Sequence, residues 1–173
     1  MGWEIYYLYS FDATHMIKVA VTGATGFIGQ HVINHLNNLP VEVAATTRSI
    51  HSNLPKLDNG LWLELDIENP PENTLSLMGN PDILIHLAWE GLPNYKSPHH
   101  SELELPIQYG FLSTLIKEGL QNVVVTGTCF EYGMQNESLC EKLDAKPSNP
   151  YGFAKDCLRK QLETLKIHYN FKL

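Results

Sequence analysis

The sequence predicts an α/β fold, a doubly wound parallel sheet with helices on both faces. Three observations predict it. Short β-branched runs alternate with segments of helical periodicity along almost the whole chain, which is the pattern of βαβ units. The first of these runs ends in a glycine-rich turn that opens a helix. The chemically capable residues fall at the carboxyl ends of the runs or in the last helix, which is where open parallel sheets bind their ligands.

The elements follow in order. Residues 17–21 (IKVAV) form a buried strand. Ile28, Val32, Leu36 and Leu39 recur at helical spacing, so 27–38 is a helix that Pro40 ends. Residues 41–46 are a second strand and 48–60 a polar loop. A third strand spans 61–65 and closes at Asp66. Pro70, Pro71 and Glu72 open a short helix, because proline suits a first turn. Residues 82–86 are a fourth strand, and 91–100 a loop rich in Pro, Asn and His. A longer helix over 101–118 bends at Pro106 and is capped by Gly119. Residues 122–126 are a fifth strand and 132–149 a loop. The last helix spans 151–168, with Ala154, Leu158, Leu162 and Leu165 on one stripe, and 171–173 begin a sixth strand.

Composition bounds the function. With 173 residues and 43% apolar content the chain builds one domain with a core. A net charge of −7 leaves no basic footprint for nucleic acid or anionic lipid, so phosphate recognition has to be local. No apolar run of about 18 residues is present, and the N-terminus lacks the pattern of a signal peptide. Cys129, Cys140 and Cys157 have no metal-ligand spacing and read as reduced thiols of a cytoplasmic protein. His99 and His100 are adjacent and point apart, so no metal site is expected. Residues 1–15 fit nothing downstream, and Met16 directly precedes the first strand. They read as a tag or non-native leader to a domain spanning 16–173.

The turn after the first strand is Thr22-Gly23-Ala24-Thr25-Gly26-Phe27-Ile28-Gly29. Gly23 permits a sharp turn. Gly26 leaves space for a pyrophosphate beside the backbone, and Gly29 lets the helix pack close to the sheet. The helix N-terminus then offers free N–H groups to phosphates. This is the dinucleotide-binding arrangement of a Rossmann-like sheet. An acid at the end of the second strand would bind the ribose 2′-hydroxyl of NAD. Ala45-Thr46-Thr47-Arg48 stands there instead, and a guanidinium suits a 2′-phosphate, so NADP is expected, with NAD possible. Asp66 either accepts from the adenine amino group, with the Ile67 backbone beside it, or caps a turn. Leu87, Ala88 and Trp89 follow the fourth strand, Ala88 being small where the cofactor passes; His86 reads as a core or capping histidine. Thr126 stands at the fifth strand's end.

Tyr151 and Lys155 are four apart at a helix start and share a face. Hydride transfer to a carbonyl needs a proton donor at its oxygen. A tyrosine is a poor base at neutral pH unless a nearby ammonium favours phenolate. Lys155 supplies that charge and donates to the nicotinamide ribose, and the Thr128 hydroxyl orients the substrate oxygen.

TGATGFIG, LDI, HLAW, VVVTGTCFEYG and NPYGFAK occur in that order over residues 16–173. Together they resemble the extended short-chain dehydrogenase/reductases that act on nucleotide sugars. The resemblance implies Thr128, Tyr151 and Lys155 as the catalytic set. The cofactor set it completes is Gly23, Thr25, Gly26, Phe27, Ile28, Gly29, Arg48, Asp66, Ile67, Leu87, Ala88, Trp89, Thr126, Tyr151 and Lys155. The TGTCFEYG run is similar to enzymes of deoxysugar pathways, which implies chemistry at C4 of a nucleotide-linked hexose by a reductase or 4-epimerase. There are two departures. Ile107, three before Gly110, stands where the family often has Asn, and the chain is about half the usual family length. The expected consequences are an absent substrate lobe, weak or no turnover by this form, and homodimer formation through an exposed sheet edge. The alternative is a non-catalytic nucleotide-binding fragment or regulatory subunit.

Overall fold

The computed structural model describes residues 16–136 and 138–173. The expected non-native leader over residues 1–15 lies outside the described residues. Five strands form one parallel sheet: β1 Ile17–Thr22, β2 Val41–Thr47, β3 Gly60–Glu64, β4 Ile83–His86 and β5 Val123–Val125, in the order β3-β2-β1-β4-β5. β1 is the centre. Val19 aligns with Val43 on one side and with Ile83 on the other. The strand order reverses between β1 and β4, which opens a crevice at their carboxyl ends.

The period of two along the strands explains why the sheet is wound on both faces. Val19, Val21, Val43 and Ala45 point to one side, where they pack with Ile33 and Leu36 of α1 Phe27–Leu36. Ala20, Ala44 and Leu84 point to the other. There they meet Leu75 of α2 Thr74–Leu77, Leu112 and Leu115 of α3 Leu105–Lys117, and Leu158 and Leu162 of α4 Pro150–Leu165. A fully buried leucine contributes roughly 1.5–3 kcal/mol, so the second face, which buries most of them, anchors α3 and α4 firmly to β4.

Several boundaries differ from the sequence reading. α2 begins at Thr74, because Pro71 supplies only a carbonyl, to the Thr74 N–H at 3.2 Å and its hydroxyl at 2.6 Å. The helix expected over 101–118 is two pieces, a π-helical turn His100–Glu104 and α3. Pro106 sits in the first turn of α3, where its missing N–H costs nothing. A 3₁₀ turn, Cys129–Tyr132, precedes the long loop. Where a sixth strand is expected to begin, Lys172 makes one parallel bridge to Asn122, beside the start of β5.

Candidate active site

The crevice is a cleft of about 480 Å³ walled by the ends of β1 to β4. Its floor is main chain. Gly23 has φ +67°, and a Cβ there would stand 2.7 Å from the Ala88 nitrogen, so the β1 and β4 loops touch backbone to backbone. At Gly29 a Cβ would meet the Gly23 carbonyl oxygen at 2.2 Å, so α1 starts hard against the turn. Gly26, the residue before α1, is exposed and lines the cleft, and the N–H groups of the first turn have no side-chain cap and no acidic neighbour. That cradle fits a pyrophosphate.

Most of the expected cofactor residues line this cleft: Gly23, Thr25, Gly26, Arg48, Asp66, Ile67, Leu87, Ala88 and Trp89. Phe27 and Ile28 do not. Both residues are largely exposed outside it, at 84% and 52%. Asp66 accepts from the Glu68 N–H at 3.0 Å and the Asn69 side chain at 3.2 Å, so the turn-capping alternative is realised at a residue that also faces the cleft. Arg48 pairs with Glu90 across the mouth, an exposed contact that joins the end of β2 to the loop after β4. Ile107 supplies an apolar wall from α3.

Thr126, Thr128, Tyr151 and Lys155 do not line the cleft; Tyr151 and Lys155 stand against the ring of Trp89, which does. α4 begins with Asn149, whose side chain caps the Gly152 N–H at 2.8 Å, and Pro150 follows in the first turn. This start buries Tyr151 to 8% exposure and Lys155 to 5%. Lys155 donates to the Thr126 carbonyl at 2.9 Å, and Thr126 in turn donates to the His86 carbonyl at 2.9 Å. Burial pulls the Lys155 pKa down to about 8, against the pull of Glu131 and Glu104. Burial raises the Tyr151 pKa, and its hydrogen bond with the Thr128 side chain opposes that rise. Thr128 is fixed by a capping box: Phe130 N–H donates to its hydroxyl at 3.3 Å, and its own N–H donates to Glu131 Oε1 at 2.7 Å.

Sequence reasoning missed a buried polar chain beside this group. His86 is enclosed, with Nδ1 2.7 Å from the Thr22 hydroxyl and Nε2 2.5 Å from Gln108 Oε1. Gln108 donates to Glu104 Oε2 at 2.8 Å, and the Glu90 N–H donates to the same oxygen at 3.1 Å. The amide orientation makes Nε2 the protonated nitrogen of His86 and leaves Nδ1 to accept from Thr22. Burial drives the His86 pKa down to about 4. The available signal was the four-residue spacing of His100, Glu104 and Gln108, which sets polar groups on one helical face. Glu104 also lies 3.5 Å from His99 Nε2, and Glu90, His99 and Glu104 bring ligand-capable atoms within 4.8 Å of one another. Glu90 is already engaged by Arg48 there, and Glu104 by Gln108.

Among the described residues no helix is long and apolar enough to cross a membrane. Comparison with known proteins agrees with the architecture. The chain is 31% identical over 149 residues to a dTDP-6-deoxy-L-talose 4-dehydrogenase (NAD(+)) of Aggregatibacter actinomycetemcomitans, covering 84% of this chain and 54% of that protein. It superposes on MoeE5 in complex with UDP-glucose and NAD with a TM-score of 0.68 at 25% identity, over 83% of this chain and 47% of that one. For the UDP-glucose 4-epimerase of Thermotoga maritima with UDP-glucose, the TM-score is 0.73 at 25% identity, over 90% and 53%. The chain thus spans about half the length of the relatives it matches. Residues 19–173 match the NAD dependent epimerase/dehydratase family, and the chain belongs to that family.

Proposed function

We propose that this chain carries the nicotinamide-binding and proton-transferring half of an oxidoreductase acting at C4 of a nucleotide-linked deoxyhexose. The observation that supports the reading is that Trp89, which lines the glycine-floored cleft, also contacts Lys155 and Tyr151, with Thr128 beside the Tyr151 hydroxyl. The residues divide the work. Gly23, Gly26 and the start of α1 hold the pyrophosphate, Asp66 and Ile67 flank the adenine end, and Leu87, Ala88 and Trp89 flank the nicotinamide end. A bound nicotinamide nucleotide supplies or accepts the hydride. Tyr151 gives its proton to the carbonyl oxygen, Thr128 orients that oxygen, and Lys155 holds the ribose and stabilises phenolate once the proton has left. The raised Tyr151 pKa keeps the phenol protonated at neutral pH, which is the state that reduction of a ketone requires. The NADP preference suggested by Arg48 tilts the reading toward a 4-keto-sugar reductase rather than an epimerase. Assays with dTDP-, GDP- and UDP-linked 4-keto-sugars test the reading. At most slow consumption of reduced cofactor with one of them is expected from this half-length chain. Cofactor binding with no turnover on any of them would support the alternative, a nucleotide-binding module.

Arg48 and the lack of an acid at the end of β2 favour NADP. Two observations favour NAD: the relative named as an NAD(+) enzyme, and Glu90, whose carboxylate already pairs with Arg48. NADPH is expected to bind more tightly than NADH, and Arg48→Ala to weaken NADPH alone by about tenfold, the scale of one charge-assisted hydrogen bond. Calorimetric titration of both cofactors checks this. Tighter NADH binding with no effect of Arg48→Ala establishes the NAD reading instead.

A further inference from the structure

We propose that Trp89 is a positioning residue for Lys155, its indole face holding the ammonium where it meets the nicotinamide ribose and Tyr151. The inference rests on the reading of Lys155 given under Proposed function. Trp89 is the boundary between the cleft and the buried Thr–Tyr–Lys group: it lines the one and touches the other. The Lys155 nitrogen lies 4.1 Å from the centroid of its ring, within cation–π range. The Tyr151 ring meets the same indole edge-on, with centroids 5.8 Å apart.

The need for such a contact follows from burial. Lys155 is enclosed, and a buried ammonium is unfavourable unless other groups compensate for lost water. One N–H goes to the Thr126 carbonyl. Among the described residues no carboxylate forms an ion pair with it. The charged and titratable groups facing it are Glu104 on the π-helical turn, Glu131 on the 3₁₀ turn, His86 on β4 and Tyr151 on its own helix. The two carboxylates act at a distance, so the indole face is the direct contact that favours the cation beyond the Thr126 carbonyl.

The indole is itself held from outside the cleft. Its Nε1–H donates to His100 Nδ1 at 3.1 Å. The other nitrogen of His100 donates to the Asn94 carbonyl at 2.9 Å, which leaves Nδ1 as the acceptor. Next door, the Glu90 N–H is held by Glu104. Both anchors belong to the π-helical turn, a form often found at functional sites. The turn therefore fixes the ring, and the ring fixes the lysine.

The test uses the full chain with lysine side chains labelled for NMR, and tryptophans carrying successive fluorines placed at position 89 alone. Fluorine drains the ring's negative face while leaving its shape nearly unchanged. The ε-methylene of Lys155 is expected upfield, under the indole ring, titrating with a midpoint of about 8. Trp89→Leu is expected to remove the upfield shift and to lower both the proton affinity of Lys155 and the binding of reduced cofactor, each by about threefold to tenfold. Trp89→Phe is expected to fall between, and each added fluorine to lower both quantities in steps. A role confined to packing would give no such steps, so a flat fluorine series overturns the assignment even if Trp89→Leu disturbs folding. Lys155→Met separates the two levels. If it strongly weakens cofactor binding and turnover while the fluorine series is flat, only the Trp89 assignment fails. If it changes neither, the reading of Lys155 fails and the Trp89 assignment with it.

Discussion

Replacing Tyr151 by phenylalanine is expected to slow hydride transfer to a 4-keto-sugar by about 10²–10⁴-fold, the usual contribution of a positioned general acid. The substitution keeps the ring, which packs edge-on against Trp89 and Phe130 and tilted against Tyr95. It removes only the hydroxyl that meets Thr128. Folding and cofactor affinity should therefore be nearly unchanged and the loss should lie in kcat. The checks are a single-turnover decay of reduced-cofactor absorbance and a parallel cofactor titration. Retention of more than about a tenth of the rate would remove Tyr151 from the proton-transfer role. Thr128→Val, by the same reasoning, should also act on kcat, through the orientation of the substrate oxygen.

The second large effect is on stability in acid, and it comes from His86. Its folded pKa is about 4 where the ordinary value is 6.5, because burial penalises the charged ring. Between these values the unfolded chain binds a proton that the folded chain does not. Stability is thus fully present above about pH 6.5, falls as the pH drops toward 4, and the loss approaches roughly 3 kcal/mol. Asp156 cannot mimic this. Burial raises its carboxyl, but its bonds to Lys160 and Arg159 win and leave it below 3.8, so its contribution is lost only at lower pH. Denaturant midpoints measured at several pH values between 7 and 4 provide the check. The expected result is a falling midpoint in the unmodified chain and a flatter profile in His86→Asn, whatever that variant's stability at pH 7. An equally steep profile in both would move the acid sensitivity elsewhere.

The sheet and its ligand edge were legible in the sequence for local reasons. β1 reads as a strand because a β-branched run meets a glycine turn, and α4 as a helix because Ala154, Leu158, Leu162 and Leu165 keep one stripe. That Tyr151 and Lys155 share one face at the start of α4 is legible from their spacing. What stayed hidden depends on partners distant in the chain. Nothing near His86 announces that Gln108 will close over it, and nothing near Trp89 announces the histidine that takes its indole proton. The 3₁₀ turn at Cys129–Tyr132 is a different case. Thr128 and Glu131 are spaced as a capping box, which makes that turn readable from the sequence. The exposure of Ile28 and Leu39 corrects the stripe Ile28, Val32, Leu36 and Leu39: α1 turns Gly29, Ile33 and Leu36 inward instead, because Gly29 has to pack against the glycine turn.

Because the cleft floor is made of peptide groups, it offers selection no side chain to vary. Where Gly23 meets Ala88, a Cβ on the glycine has nowhere to go, and no change elsewhere can make room without separating β1 from β4. Whatever distinguishes this chain's ligand preferences from those of its relatives has therefore to be written in the flanking walls, at positions such as Arg48, Glu90 and Ile107, where residues can drift without disturbing the strands beneath.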